Sequence, residues 1–442
     1  MSAQTTPRLI RGRILTFLEN PSQESAASAY HFYEDGALLI ANGKIADIGD
    51  FSDVQARASV NLGADVAVTD HRPHLIMPGF IDTHLHFPQT QAIASYGAQL
   101  LEWLNTYVFV EEQKFESAAH ADFIAGRFLD ELIRNGTTTA VAYCSVHKQS
   151  AQSMFAAARQ RNMLMVGGKV MMDRNAPEAL RDTPQSGYDD SKALIEAWHK
   201  PDQRNYYAIS PRFAITSTPE QLEMSKALVQ EFPDCYVQTH LSENRDEIAF
   251  ATSLYPSAKH YIDIYAHYEL LTPKTILGHC IHMCDREVSL MAERGAVAAF
   301  CPTSNLFLGS GLFDHDRFAK LGARISVATD VGGGSSFSML ETMSEAYKIM
   351  ALQGQKLSPL QSYYMLTLGN ARALGLQDKI GSLHMGADAD IVVLDARAKP
   401  AMDLRMDVAA TLEDELFILQ TMGDDRCVAE VYIAGKAMKS AL

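Results

Sequence analysis

A chain of 442 residues, 47% of them hydrophobic, can bury a large core and hold one barrel-sized domain beside a smaller one. Its formal net charge is −15, with no basic patch to displace counterions, which counts against a nucleic-acid partner. No apolar run reaches the length of a bilayer span, and six scattered cysteines without a C-x-x-C pair read as the reduced, mostly buried thiols of a cytoplasmic protein.

At the N-terminus, Arg8, Arg11 and Arg13 faintly echo a transit peptide, but a loose start followed by a strand from Leu9 to Phe17 is the better reading. The polar stretch Asn20–Ser28 reads as a surface excursion. Ala37–Ala41 is an apolar strand, Asn42-Gly43 a hairpin turn, and Lys44–Gly49 the returning strand. Residues 1–72 thus read as all-β. From residue 73 short apolar runs alternate with helical patterns. The strands are Gly79–His86, Thr138–Tyr143, Met163–Val170, Tyr206–Ser210, Tyr236–His240, Thr275–His279, Val297–Cys301 and Arg324–Asp330. Helices over Ala118–Arg134, Gln149–Arg161, Pro219–Glu231 and Arg286–Glu293 lie between them, the first stopped by Asn135-Gly136. Further helices follow over Met343–Met350 and Pro359–Leu368, then a buried strand, Ile391–Leu394, and a closing hairpin around Ala434-Gly435. The fold class is α/β: a (β/α)8 TIM-like barrel over residues 73–385. Residues 1–72 and 386–442 pair into a small β-sandwich.

In such a barrel, chemistry gathers where strands end. The first strand ends in His84-Leu85-His86, whose imidazoles share one face because strand side chains alternate. Pro88 stops the strand. The fourth strand runs into Pro211-Arg212-Phe213, the fifth ends at His240 with Glu243 close behind, the sixth at His279 and the eighth at Asp330. His84, His86, His240 and Asp330 offer three nitrogens and a carboxylate. With room for a water, that set suits catalytic Zn2+ or Fe2+. Glu243 is placed to move protons.

Each residue alone has a plainer explanation: a satisfied core histidine for His279, a helix-dipole carboxylate for Glu243, a turn for Asp330. Five strand ends carrying compatible groups argue against five such coincidences. The glycines after Asp330 lack the lysine of a phosphate loop, and Cys280, His282 and Cys284 lack the second pair of a zinc finger. A carboxylated Lys169 bridging two metals stays open as a lesser alternative.

These residues resemble the amidohydrolase superfamily along nearly the whole chain. The resemblance rests on Pro78–His86, Thr239–Glu243, Gly278–Cys280, Ala328–Asp330 and Gly386–Asp395. Longer stretches look like its guanine deaminase family: Phe87–Gln89, Gly97–Asn105, Arg134–Thr139, Lys169–Pro177, Pro211–Ala214 and Cys301–Leu306. Tyr107–Glu111 departs from the family's Phe-Pro-Thr-Glu segment. The resemblance implies a homodimer that converts guanine to xanthine and ammonia. One Zn2+ per subunit (Fe2+ is the second choice) is implied on His84, His86, His240 and Asp330, with a metal-bound hydroxide attacking C2. Gln89, Trp103, Arg212, Phe213 and His240 would bind the purine. Glu243 and Asp330 would shuttle protons, and His279 would orient the water or the developing oxyanion. Two other readings remain. One is a related hydrolase acting on a pterin, thiomethyladenosine or triazine; the other is a catalytically silent interaction protein that keeps the barrel.

Overall fold

The computed structural model of the chain describes residues 6–21, 28–62, 66–96 and 99–442. The stretch read as a surface excursion lies largely outside them. The chain opens with β1 (Arg8–Phe17), β2 (Tyr30–Ala41), β3 (Lys44–Asp50) and β4 (Ala67–Pro78). Asn42 and Gly43 both adopt positive φ, 52° and 76°, as the tight turn between β2 and β3 requires. One element departs from the all-β reading: Phe51–Leu62 is a helix. Val54 and Ala58, four residues apart, form its buried face against Leu9, Ala37 and Leu39.

The barrel strands are β5 (Phe80–His86), β6 (Thr137–Tyr143), β7 (Leu164–Gly168), β8 (Val170–Met171), β9 (Asn205–Pro211), β10 (Tyr236–Leu241), β11 (Thr275–His279), β12 (Val297–Phe300) and β13 (Arg324–Val327). All pair in parallel in the order β5-β6-β7-β9-β10-β11-β12-β13, with β8 a short addition beside β9. The single strand expected over Met163–Val170 breaks at Lys169, whose Nζ pairs with Asp182 Oδ2 at 2.7 Å. Helices cover the outside. In Ala118–Arg134 the buried residues Ala121, Ile124, Ala125, Phe128, Leu129 and Leu132 recur every three or four positions, Ser117 caps the start, and Gly136 at φ 84° follows the end. Closure comes from the residues after β13: Asp330 N–H donates to the His84 carbonyl (2.9 Å) and His86 N–H to the Val331 carbonyl (2.5 Å).

The chain then returns as β14 (Ile391–Leu394), β15 (Val428–Ile433) and β16 (Lys436–Ala437). These join the N-terminal strands in one sheet, ordered β16-β15-β14-β4-β1-β2-β3. The sheet curls until its β3 side meets the approach to β14, where Ile45 N–H donates to Ala387 O (3.0 Å) and Gly386 N–H to Ile45 O (2.8 Å). Ile10, Ile14, Leu38, Ile40, Ile391 and Val393 fill the space enclosed. Between β14 and β15 the helix Leu412–Met422 leaves the sheet and packs on the barrel helix Met339–Leu352, with Phe417 edge-on to Tyr347 at 5.1 Å.

Arg204, buried just before β9, ties the barrel to the small sheet. Its guanidinium reaches Asp388 Oδ2 (2.6 Å) and Asp390 Oδ2 (2.9 Å), and its Nε donates to the Asn162 carbonyl. Removing one partner of a buried ion pair strands the other in low dielectric. Arg204→Met is expected to destabilise the protein by about 3–5 kcal/mol, read as a lowered thermal midpoint, and to leave the opposite, C-terminal face of the barrel intact.

Candidate active site

At the C-terminal ends of the strands a cavity opens, where barrel folds place small-molecule sites. His86, Gln89, Trp103, Arg212, Phe213, His240, Glu243, His279 and Asp330 line it. His84 lies just beneath, fully buried. Every residue singled out from the sequence for this site is therefore in its wall or floor.

The ligating atoms of His84, His86 and His240 lie within 4.8 Å of one another. Asp330 Oδ1 is 3.4 Å from His84 Nε2 and 3.3 Å from His86 Nε2, and the Nε2 atoms of His86 and His240 are 3.1 Å apart. Burial, partly opposed by Asp330, pushes His86 down to about 4; burial and the neighbouring imidazoles hold His240 well below its ordinary value. Both are neutral at physiological pH. Burial alone would raise Asp330, but its contacts with His84 and His86 hold it well below the usual carboxylate range. The Arg212 carbonyl can only accept, so His240 Nδ1, 2.7 Å away, carries the hydrogen and Nε2 turns a lone pair toward the cluster. Both ring nitrogens of His84 and Nδ1 of His86 are buried without a hydrogen-bond partner. Uncompensated polar atoms at this depth are costly. A divalent cation fits this donor set, three imidazoles and one carboxylate, in chemistry and in number.

Glu243 stands beside the cluster. Its Oε2 is 3.3 Å from His279 Nε2, and its Oε1 accepts from Ser310 Oγ at 3.1 Å. Burial first, and the charge of Asp330 second, push its carboxyl up to about 8. His279 Nδ1 faces Asn305 Oδ1 at 3.1 Å, which leaves Nε2 directed between Glu243 and Asp330 (3.6 Å). Glu247 Oε2 accepts the backbone N–H groups of Glu243 and Asn244, fixing the loop that carries Glu243.

On the other side of the cavity Arg212 Nη1 donates to both carboxylate oxygens of Glu112, at 2.9 and 2.7 Å. Glu112 also accepts from Gln89 Nε2 at 3.0 Å. Trp103 is a wall rather than a donor, because its indole N–H is given to the Ser95 carbonyl. Phe213 stands edge-on to His240, ring centres 6.2 Å apart.

Lys169 is turned away into its pair with Asp182, which removes the bridging-lysine alternative. Sequence reading missed Glu112, Asn305, Ser310 and Glu247. Asn305 had a signal, being polar just after the seventh strand. Glu112 had none beyond standing next to the departing segment Tyr107–Glu111.

The amidohydrolase family model matches residues 75–438 of this chain. Guanine deaminase of Escherichia coli K12 is 44% identical over 439 residues, covering 99% of this chain and 98% of that protein. Its solved structure superposes with a TM-score of 0.94 over 98% of this chain and 99% of that one. The guanine deaminase of C. acetobutylicum, solved with guanine in its active site, is 27% identical with a TM-score of 0.88, covering 98% and 100%. The chain belongs to the amidohydrolase family, alongside these guanine deaminases.

Proposed function

We propose that this chain hydrolyses guanine to xanthine and ammonia. The observation that carries the reading is one site that sets the His84, His86 and His240 cluster, with Asp330 3.4 and 3.3 Å from His84 and His86, against a hydrogen-bonding edge built from Arg212 and Gln89. End-to-end likeness to guanine deaminases supports guanine over a pterin, thiomethyladenosine or triazine. A silent interaction protein would have lost part of this equipment, and it is all present. His84, His86, His240 and Asp330 would hold the cation, Zn2+ before Fe2+. When bound, such an ion acidifies a water molecule toward neutral pH. A cytoplasmic homodimer accompanies the reading on family resemblance.

Arg212 gives N–H groups to O6, the acceptor that distinguishes guanine from adenine. Adenine sets an amine there and would leave a buried guanidinium facing donors, a mismatch that discriminates by orders of magnitude. Gln89 supplies a second polar contact on the purine edge, and Phe213 and Trp103 confine its faces. Glu243, protonated, gives its proton to the ring nitrogen next to C2 and makes that carbon electrophilic. Asp330, ionised, takes a proton from the water that adds to C2. His279, oriented by Asn305, faces the oxygen as charge develops on it. Asp330 then passes the water proton to the amine, the C2–N bond breaks and ammonia leaves, and the hydroxyl left on C2 returns a proton to Glu243 as the second carbonyl forms.

Three outcomes test this. Purified protein supplied with zinc should release ammonia from guanine and not from adenine or cytosine; absence of guanine turnover sinks the proposal. Glu243→Gln should retain bound metal, measured by atomic absorption, and lose about a hundred- to ten-thousand-fold in kcat. Gly278 faces His84 so closely that an added Cβ would sit 2.5 Å from His84 Cε1. Gly278→Ala should therefore displace His84 and weaken metal affinity by about 10–100-fold, seen by competition with a chelator.

A further inference from the structure

The guanidinium of Arg212 does not face the cavity alone. It is the one arginine or lysine among the described residues that line the cavity, and it is 3% exposed. Glu112, 1% exposed, spends both carboxylate oxygens on Arg212 Nη1 and lends one of them to Gln89 Nε2. Phe109, three residues earlier on the same short helix (Phe109–Gln113), lies 5.4 Å under the guanidinium carbon. Gln89 Oε1 accepts from Gly332 N–H at 3.4 Å, so its amide orientation is fixed from both ends. The Glu112 carbonyl accepts from Ser145 Oγ, which anchors this helix to the barrel.

We infer that Glu112 is the positioning residue that makes this pocket select neutral purine lactams and reject purine anions. The inference rests on the guanine reading above and deepens it. A buried arginine without a counter-ion is an anion trap, because any negative ligand relieves the cost of its desolvated charge. With Glu112 in place that cost is already compensated. An anion brought to Arg212 also meets the carboxylate, and their repulsion is strong at this depth. A neutral carbonyl meets no such penalty and accepts from the guanidinium hydrogens on Nε and Nη2, since the bonds to Glu112 use Nη1. The product carries a second carbonyl where the amine stood and is the stronger acid, so the same exclusion favours its departure.

The test compares two ligands on zinc-loaded enzyme at neutral pH by calorimetry. Hypoxanthine is neutral, has the same lactam and lacks the 2-amine; urate is a monoanion. Wild type should prefer hypoxanthine. Glu112→Gln should shift the preference toward urate by about tenfold or more. Glu112→Asp, which keeps the charge, should keep the wild-type preference. Glu112→Gln combined with Arg212→Gln should lose the gain, since the trap is gone. An unchanged urate-to-hypoxanthine ratio in folded Glu112→Gln overturns the inference, as does a gain that survives without Arg212. Wild type preferring urate overturns it even where the variants fail to fold. Guanine turnover is followed in the same preparations: its absence beside an intact preference for the neutral lactam removes the guanine reading and not this one.

Discussion

Across the last gap of the barrel, the Asp330 N–H binds the His84 carbonyl and the His86 N–H binds the Val331 carbonyl. The residues that close the ring of strands are thus the ones that bring together three of the four side chains proposed as metal ligands. Asp82 strengthens the same seam, accepting from the Thr329 N–H (3.1 Å) and hydroxyl (2.5 Å). A barrel closes only when strand number, tilt and stagger agree. The spacing of the cluster is therefore set by the whole ring rather than by local packing. Ser242, His279 and Asp330 adopt φ of 54°, 70° and 52° at these strand ends. Left-handed backbone costs a non-glycine residue about 1–3 kcal/mol, so the surrounding barrel must hold these bends in place.

Arg212 couples the two halves of the site. Its backbone carbonyl fixes the tautomer of His240, while its side chain belongs to the opposite edge of the cavity. A shift of the β9 end would disturb both at once. The strand-seven end, through Asn305 and Ser310, does the corresponding work for His279 and Glu243. His279 and Glu243 are thus each held by a neighbour from this one segment, Asn305 and Ser310.

Much of this was legible in the sequence because it follows short-range rules. Period-two alternation put His84 and His86 on one face, and the rhythm of apolar runs separated by helical patterns implied the barrel. Arg212, His240, His279 and Asp330 could be picked out because a strand's last residues are recognisable from the apolar run before them. Glu112 could not be, because its meaning lies in a contact with Arg212, one hundred positions away. The helix Phe51–Leu62 was hidden for a different reason: its apolar face is only Val54 and Ala58, too narrow a stripe to stand out between strands. Lys169 ended a strand early because a buried ammonium had to reach Asp182, a long-range demand that apolar patterning does not register.

The pairing of Arg204 with Asp388 and Asp390 has a consequence for biosynthesis. Arg204 opens the middle of the barrel, whereas its two counter-ions are made only after the last barrel strand. The helix Leu412–Met422, which lies against the barrel, is made later still. Until those segments are made, Arg204 lacks both of these counter-ions and the flank beneath Leu412–Met422 is uncovered. Final packing waits for the C-terminal segment to leave the ribosome, so the maturing chain completes its oldest and newest parts together.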